Sequence, residues 1–280
     1  MGGPYPGPEL GPKWIRAAGL IGKLEADGFE VWDLGDVENP PVGLSSAPEL
    51  RGMDTMGVLT RGRVEHALQK GMFPVVIGGD HGTALGPIAA SAAHHPTLGI
   101  LWVDAHPDFN TLESSTTKNP HGMVLALAAG LGPRSALESL GRVPLVPPRR
   151  IAILGARSID DAERTLLDQH EVRCSTTDEI LRFGLVESAD EAIRYLKAQG
   201  AEAIHLSIDL DILNPANWPG VSTPVDGGLS FDELVTLVAW TMDEANVVSI
   251  DVSELNPNRD RREQTTEAAV AVIQSAVAAL

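Results

Sequence analysis

The sequence predicts an α/β protein: a mainly parallel β-sheet covered by helices on both faces. Two observations predict it. Short β-rich apolar runs alternate with amphipathic helical stretches along the 280 residues. The runs are almost continuously apolar rather than alternating, as in strands buried on two faces. In chain order, a helical stretch at Trp14–Asp27 precedes a candidate strand at Glu30–Leu34. Helix Thr60–Gln69 then leads to strand Pro74–Ile77, and helix Thr83–Ala93 to strand Gly99–Val103. A helical stretch at Val124–Ala129 and a proline-rich connection, Pro144–Pro148, lead into strand Arg150–Leu154. Helix Asp161–His170 and strand Val172–Ser175 follow, then helix Ala189–Gln199 and strand Ala203–Ile208. Helix Phe231–Ala245, strand Val247–Val252 and an Ala- and Val-rich helical tail, Gln264–Leu280, complete the pattern. No linker, repeat or low-complexity block divides the chain, so residues 1–280 are expected to form one domain.

Composition narrows the function. A formal charge of −17 opposes binding to nucleic acid or an anionic membrane, since phosphate recognition needs a basic surface, and favours a cationic ligand. Cys174 is the single cysteine, so no intrachain disulfide forms. The start lacks the charged and apolar blocks of a signal peptide, and no run reaches the ~18 apolar residues of a membrane span, so a soluble cytoplasmic protein is expected.

Three segments placed just beyond apolar runs carry the chemistry. They are Gly78-Gly79-Asp80-His81, Asp104-Ala105-His106-Pro107-Asp108 and Ser207-Ile208-Asp209-Leu210-Asp211. Side chains two apart on extended backbone point the same way. Each of the last two segments therefore aims several donors at one place. His81, Asp104, His106, Asp108, Asp209 and Asp211 are too many ligands for one ion and suit a pair, with Asp108 or Asp209 bridging. Four carboxylates and two imidazoles without thiolate favour two Mn²⁺ ions, while leaving Ni, Co or Fe open. Such a pair activates water for hydrolysis without a serine or cysteine nucleophile.

The surrounding residues extend these segments in a fixed order: Asp108-Phe109-Asn110, His121-Gly122-Met123, Thr223-Pro224, Gly227-Gly228-Leu229 and Glu254-Leu255-Asn256-Pro257. Together they resemble the ureohydrolases, the family of arginase, agmatinase and guanidinobutyrase, from about Gly7 to the C-terminus. The resemblance implies a three-layer α/β/α fold, a dimanganese site liganded by the six residues above, and hydrolysis of a guanidino group to urea and an amine. It implies that His121 shuttles a proton, with Asp108 assisting, and that Glu254 receives the guanidinium. The chemistry is apt: imidazole transfers protons near neutral pH, and a carboxylate pairs with a planar guanidinium.

In the loop Phe109–Pro120, the arginase branch looks similar in spacing. Asn110, Ser115 and Thr117 match positions that hold an α-carboxylate, and Asp160 matches the acid that contacts the α-amino group. L-Arginine, a small cationic guanidine, is thus the expected substrate. Guanidinobutyrate, agmatine, another guanidino acid or a non-catalytic role are the alternatives. Lys118 departs from the arginase pattern and adds a cation to this loop. A second departure is at the start, where family members carry a strand before the glycine-rich segment: either the start is truncated, or the sheet lacks its first strand and compensates elsewhere. The resemblance also implies a homotrimer or homohexamer, with the helical tail placed to pack in such an interface.

Overall fold

The computed structural model describes residues 2–38 and 45–280. Its centre is one six-stranded sheet, β1 (Val75–Ile77), β2 (Leu98–Val103), β3 (Ile151–Ala156), β4 (Arg173–Thr176), β5 (Ala203–Asp209) and β6 (Val247–Ser253). The spatial order is β1-β6-β5-β2-β3-β4, and every pairing is parallel. The principal helices are α1 (Gly11–Ala17), α2 (Leu20–Ala26), α3 (Met53–Gln69), α4 (Leu85–His94), α5 (Val124–Ala128) and α6 (Arg134–Leu140). They continue as α7 (Asp161–Gln169), α8 (Thr177–Phe183), α9 (Leu185–Ala198), α10 (Phe231–Glu244) and α11 (Gln264–Ala278).

Strand pleating sorts the core into two layers. Leu101 and Val103 of β2 join α1, α2 and α8–α11 on one face. Leu98, Ile100 and Trp102 join α3–α7 on the other. Both faces of β2 and β5 are buried along their whole length. Each large aliphatic side chain there stabilises the fold by about 2–3 kcal/mol. The result is the three-layer α/β/α arrangement.

The strand order places the site. After β2 the chain turns toward β3 on one side, and after β5 it turns toward β6 on the other. Ligand crevices of parallel sheets open at such a reversal, beyond the carboxyl ends of the strands. The register aligns these ends: Val103 faces Ile208, Ile208 faces Val252, and Val252 faces Ile77. Asp104, Asp209, Ser253 and Gly78 therefore leave the sheet at one level. Gly78 allows close approach, because a Cβ there would lie 2.2 Å from Ser253 Oγ.

Several expectations change. Glu30–Leu34 is not a strand: residues 29–38 have no regular structure, and Trp32 and Leu34 are exposed. A strand needs a hydrogen-bonding neighbour, and β1, the nearest edge, pairs only with β6. Among the described residues no strand precedes β1. A groove of about 1480 Å³ runs beside it, lined by Val75, Val76 and Ile77, by Val31–Asp36, and by Met53 and Leu24 from the two helical layers. The helix expected over Trp14–Asp27 is two helices, separated at Gly19, which has φ +86°. Helices α6 and α8 were not expected. The capping box of α8, Thr176 with Glu179, is nevertheless written in the sequence. In the helical tail, Val270, Val272, Ile273, Ala276 and Val277 of α11 are buried in their own chain's core, while Leu280 beyond it is exposed. Among the described residues, no helix is long and apolar enough to cross a membrane.

Candidate metal centre and guanidinium pocket

The strand tips bring five of the six expected ligands into two groups. His81, Asp104 and Asp209 form one, and Asp104, His106 and Asp211 the other, with donor atoms within 4.8 Å of one another in each. Asp104 belongs to both. Its Oδ2 lies 3.0 Å from His81 Nδ1, and its Oδ1 lies 3.5 Å from His106 Nδ1. Asp104, at the reversal of the sheet, is thus common to the two groups. Asp108 sits beside the first group, its Oδ2 3.5 Å from His81 Nδ1. His106 Nδ1 is 3.0 Å from Asp211 Oδ2, and His81 Nδ1 is 3.2 Å from Asp209 Oδ2.

Local backbone interactions hold this geometry. Asp104 Oδ1 accepts the His106 N–H, and Asp209 Oδ1 accepts the Asp211 N–H, each closing a two-residue turn beyond its strand. Asp108 is left-handed, with φ +50°, and Glu254 has φ +69°. Such strain in non-glycine residues gathers at functional sites. Arg157 fastens the Asp211 turn, its Nη2 donating to the carbonyls of Asp211 at 2.7 Å and Val225 at 3.1 Å.

Electrostatics test whether cations fit. Burial raises the Asp108 carboxyl well above its usual range, and the charge of Asp104 adds to this. Burial and the charges of Asp211 and Asp104 do the same to Asp209. Burial alone would lower His81, yet its hydrogen bonds and charge interactions with Asp104 and Asp209 raise it well above neutrality. Divalent cations in the cluster would offset this burial and repulsion, and its oxygen-rich donor set suits hard ions.

Glu254 adjoins the cage at the end of β6 and is 1% exposed. Its Oε1 accepts the His81 backbone N–H at 2.9 Å and lies 3.1 Å from His121 Nδ1. Its Oε2 is buried without a partner. Burial would lower His121, but the hydrogen bond and charge of Glu254, with Asp108 and Asp80, raise it to about 9.

The expected head-group residues are divided. Asn110 is buried, and its Nδ2 reaches Asp160 Oδ2 at 3.5 Å. Ser115 is buried and accepts the Lys118 N–H, which leaves its hydroxyl proton free to donate. Thr117 lies on the exposed side of the loop, its hydroxyl accepting the Asn119 N–H. Lys118, with φ +58°, folds its ammonium onto the Leu112 carbonyl.

The sequence reading missed a polar layer behind the cage. Trp102 stacks on the His81 ring at 3.9 Å and donates to Asp104 Oδ2. His205 is fully buried and hydrogen-bonded to Ser249 and Asp251. Its signal was available: His205, Ser207 and Asp209 alternate along β5, opposite Ser249, Asp251 and Ser253 on β6. Glu163 was also missed. It accepts the Phe109 N–H, and burial raises its carboxyl to about 7. Burial likewise pushes the Cys174 thiol up to about 12, which leaves it a poor nucleophile.

A twin group of histidines and carboxylates at the switch point of a parallel sheet, with a buried acid beside it, defines a binuclear hydrolase centre. The arginase family profile matches residues 2–279. The arginase of Bacillus subtilis (strain 168) is 36% identical over 272 residues, covering 96% of this chain and 91% of its own. A crystal structure of Bacillus subtilis arginase superposes with a TM-score of 0.90 at 36% identity, over 96% of this chain and 91% of that one. An Entamoeba histolytica arginase solved with L-ornithine reaches a TM-score of 0.88 at 28% identity, over 98% and 93%. The chain belongs to the arginase family and is a ureohydrolase.

Proposed function

We propose that this protein hydrolyses L-arginine to L-ornithine and urea, using two Mn²⁺ ions. The observation that carries the reading is the unpartnered, buried Oε2 of Glu254 beside the twin ligand groups. A buried carboxylate oxygen without a donor is costly, and a guanidinium supplies donors in the matching fork. His81, Asp104, Asp108 and Asp209 would hold one ion, and Asp104, His106, Asp209 and Asp211 the other. When bound, the ions supply the Lewis acidity that makes water a nucleophile near neutral pH.

The chain's own groups do the rest. Glu254 orients the guanidinium plane over the cage and balances its charge. His121, which carries a proton at neutral pH because of Glu254, gives it to the departing amine nitrogen, with Asp108 as relay. Asn110, Ser115 and Thr117 accept the α-carboxylate end, and Asp160 takes the α-amino group at the mouth. The ornithine-bound Entamoeba relative supports an amino-acid head of this kind. A guanidino acid is the second reading, favoured by the Lys118 cation on the same loop.

Urea release from Mn²⁺-reconstituted protein, measured across L-arginine, agmatine, guanidinobutyrate and other guanidino acids, tests the substrate. The highest kcat/KM is expected for L-arginine. A preference for a guanidine lacking the α-amino group would overturn it. We further propose a homotrimer or homohexamer; light scattering giving a monomer near 29.7 kDa would contradict that.

A further inference from the structure

Behind His81 runs a continuous buried chain of polar side chains. His81 Nε2 lies 2.9 Å from Ser207 Oγ, and Ser207 Oγ is 3.1 Å from Asp251 Oδ1. Asp251 Oδ2 lies 2.7 Å from His205 Nε2, and His205 Nδ1 is 2.7 Å from Ser249 Oγ. Ser249 in turn meets Ser91 Oγ of α4 at 2.7 Å. All six side chains are buried without measurable exposure.

Donor and acceptor bookkeeping gives this chain a direction. A carboxylate only accepts, so both Ser207 and His205 Nε2 donate to Asp251. Ser207 has then spent its one proton, and it can only accept from His81 Nε2–H. The directions of the Ser207–Asp251 and His81–Ser207 bonds both follow from the acceptor character of Asp251. The outcome at the far end is that Nε2 of His81 is committed as a donor to Ser207, so that Nδ1, which faces Asp104, Asp108 and Asp209, is the nitrogen left for a cation. Trp102, stacked on the same ring, fixes its plane.

We infer that Asp251 and His205 are positioning residues that act through Ser207 to hold His81 in the orientation that binds one of the two metal ions. The inference rests on the two-ion reading and adds a prediction that reading does not make. The relay reaches only the group containing His81; His106 and Asp211 have no bond to it. Removing it should therefore weaken one ion and spare the other. With Asp251 gone, the Ser207 proton is free to turn onto His81 Nε2, which drives the ring hydrogen to Nδ1 and blocks the ligand nitrogen. An amide at position 251 still offers an acceptor oxygen.

The experiment is competition of Mn²⁺ between the protein and a chelator, resolving the two dissociation constants for wild type, Asp251→Ala, Asp251→Asn and Ser207→Ala. Thermal unfolding of each metal-free form serves as the folding control, and Ser207→Ala deletes only a hydroxyl should Asp251→Ala not fold. Loss of about 10–100-fold in one constant is expected for Asp251→Ala and Ser207→Ala. The other constant stays within about 3-fold, and Asp251→Asn recovers most of the loss. Equal weakening of both ions, or no change in either, overturns the inference. Wild-type protein that binds fewer than two ions overturns the two-ion reading beneath it.

Discussion

The middle of the sheet and its β1 edge are built from the same kind of short apolar run, yet they end in different states. At β2 and β5 every residue is buried, each strand has two parallel neighbours, and their tips carry Asp104 and Asp209. At β1 all three residues are half-buried, there is one neighbour, and a groove separates the strand from residues 31–36. Yet His81, just past this edge, reaches the central cage. The β1–β6 pairing and the Glu254 contact to the His81 N–H place its backbone there. The site depends on alignment of strand tips, which one good neighbour can supply. Burial of a segment depends on neighbours on both sides.

The largest effect expected of a substitution is at the centre. Asp104→Ala removes the carboxylate common to both ligand groups and should lower urea release by more than about 10³-fold with loss of both ions. Metal analysis of the purified variant checks this; full occupancy with two ions would contradict it. His121→Ala, one step out from the cage, should lower kcat by about 10²–10⁴-fold with KM little changed. Steady-state kinetics separate that outcome from a KM effect, which would instead assign His121 to binding.

Stability should follow the same gradient. Ile208→Ala in β5 is expected to destabilise by about 2–5 kcal/mol in chemical unfolding. Glu163 gives a pH-dependent term. Its carboxyl is raised to about 7 in the folded state from 4.5. Its protonated form is favoured in the fold, so its contribution is full below pH 4.5 and is lost as pH rises through about 7. The loss amounts to about 3 kcal/mol across that window. Glu163→Gln should flatten that slope, and an unchanged slope in a pH series of unfolding curves would exclude Glu163 as its source. Val31→Ala, beside the groove, should cost under about 1 kcal/mol, because little packing is lost. A cost matching Ile208→Ala would erase the contrast between centre and edge.

The same contrast explains what was legible in the sequence. Runs such as Gly99–Val103 and Ala203–Ile208 are apolar on both faces because they are central, so they read as strands without the structure. Their terminal Asp and His residues stood out as polar exceptions. Glu30–Leu34 has equal β character, but whether it pairs depends on a neighbour that no local pattern encodes. Asp104 as the residue common to both ligand groups follows from strand order, which spacing does not reveal. The layer of His205, Ser207, Ser249 and Asp251 was hidden for another reason. Each residue alone looks like an imperfection in an apolar strand, and only the β5–β6 register makes them one network.

The account's central claim is two cations in one cage at the reversal of the sheet. Anomalous diffraction from crystals grown with Mn²⁺ tests it most directly. Two peaks are predicted about 3.5–4 Å apart, with Asp104 touching both and His81 and His106 on opposite ends. A single peak, or peaks away from these side chains, would contradict it.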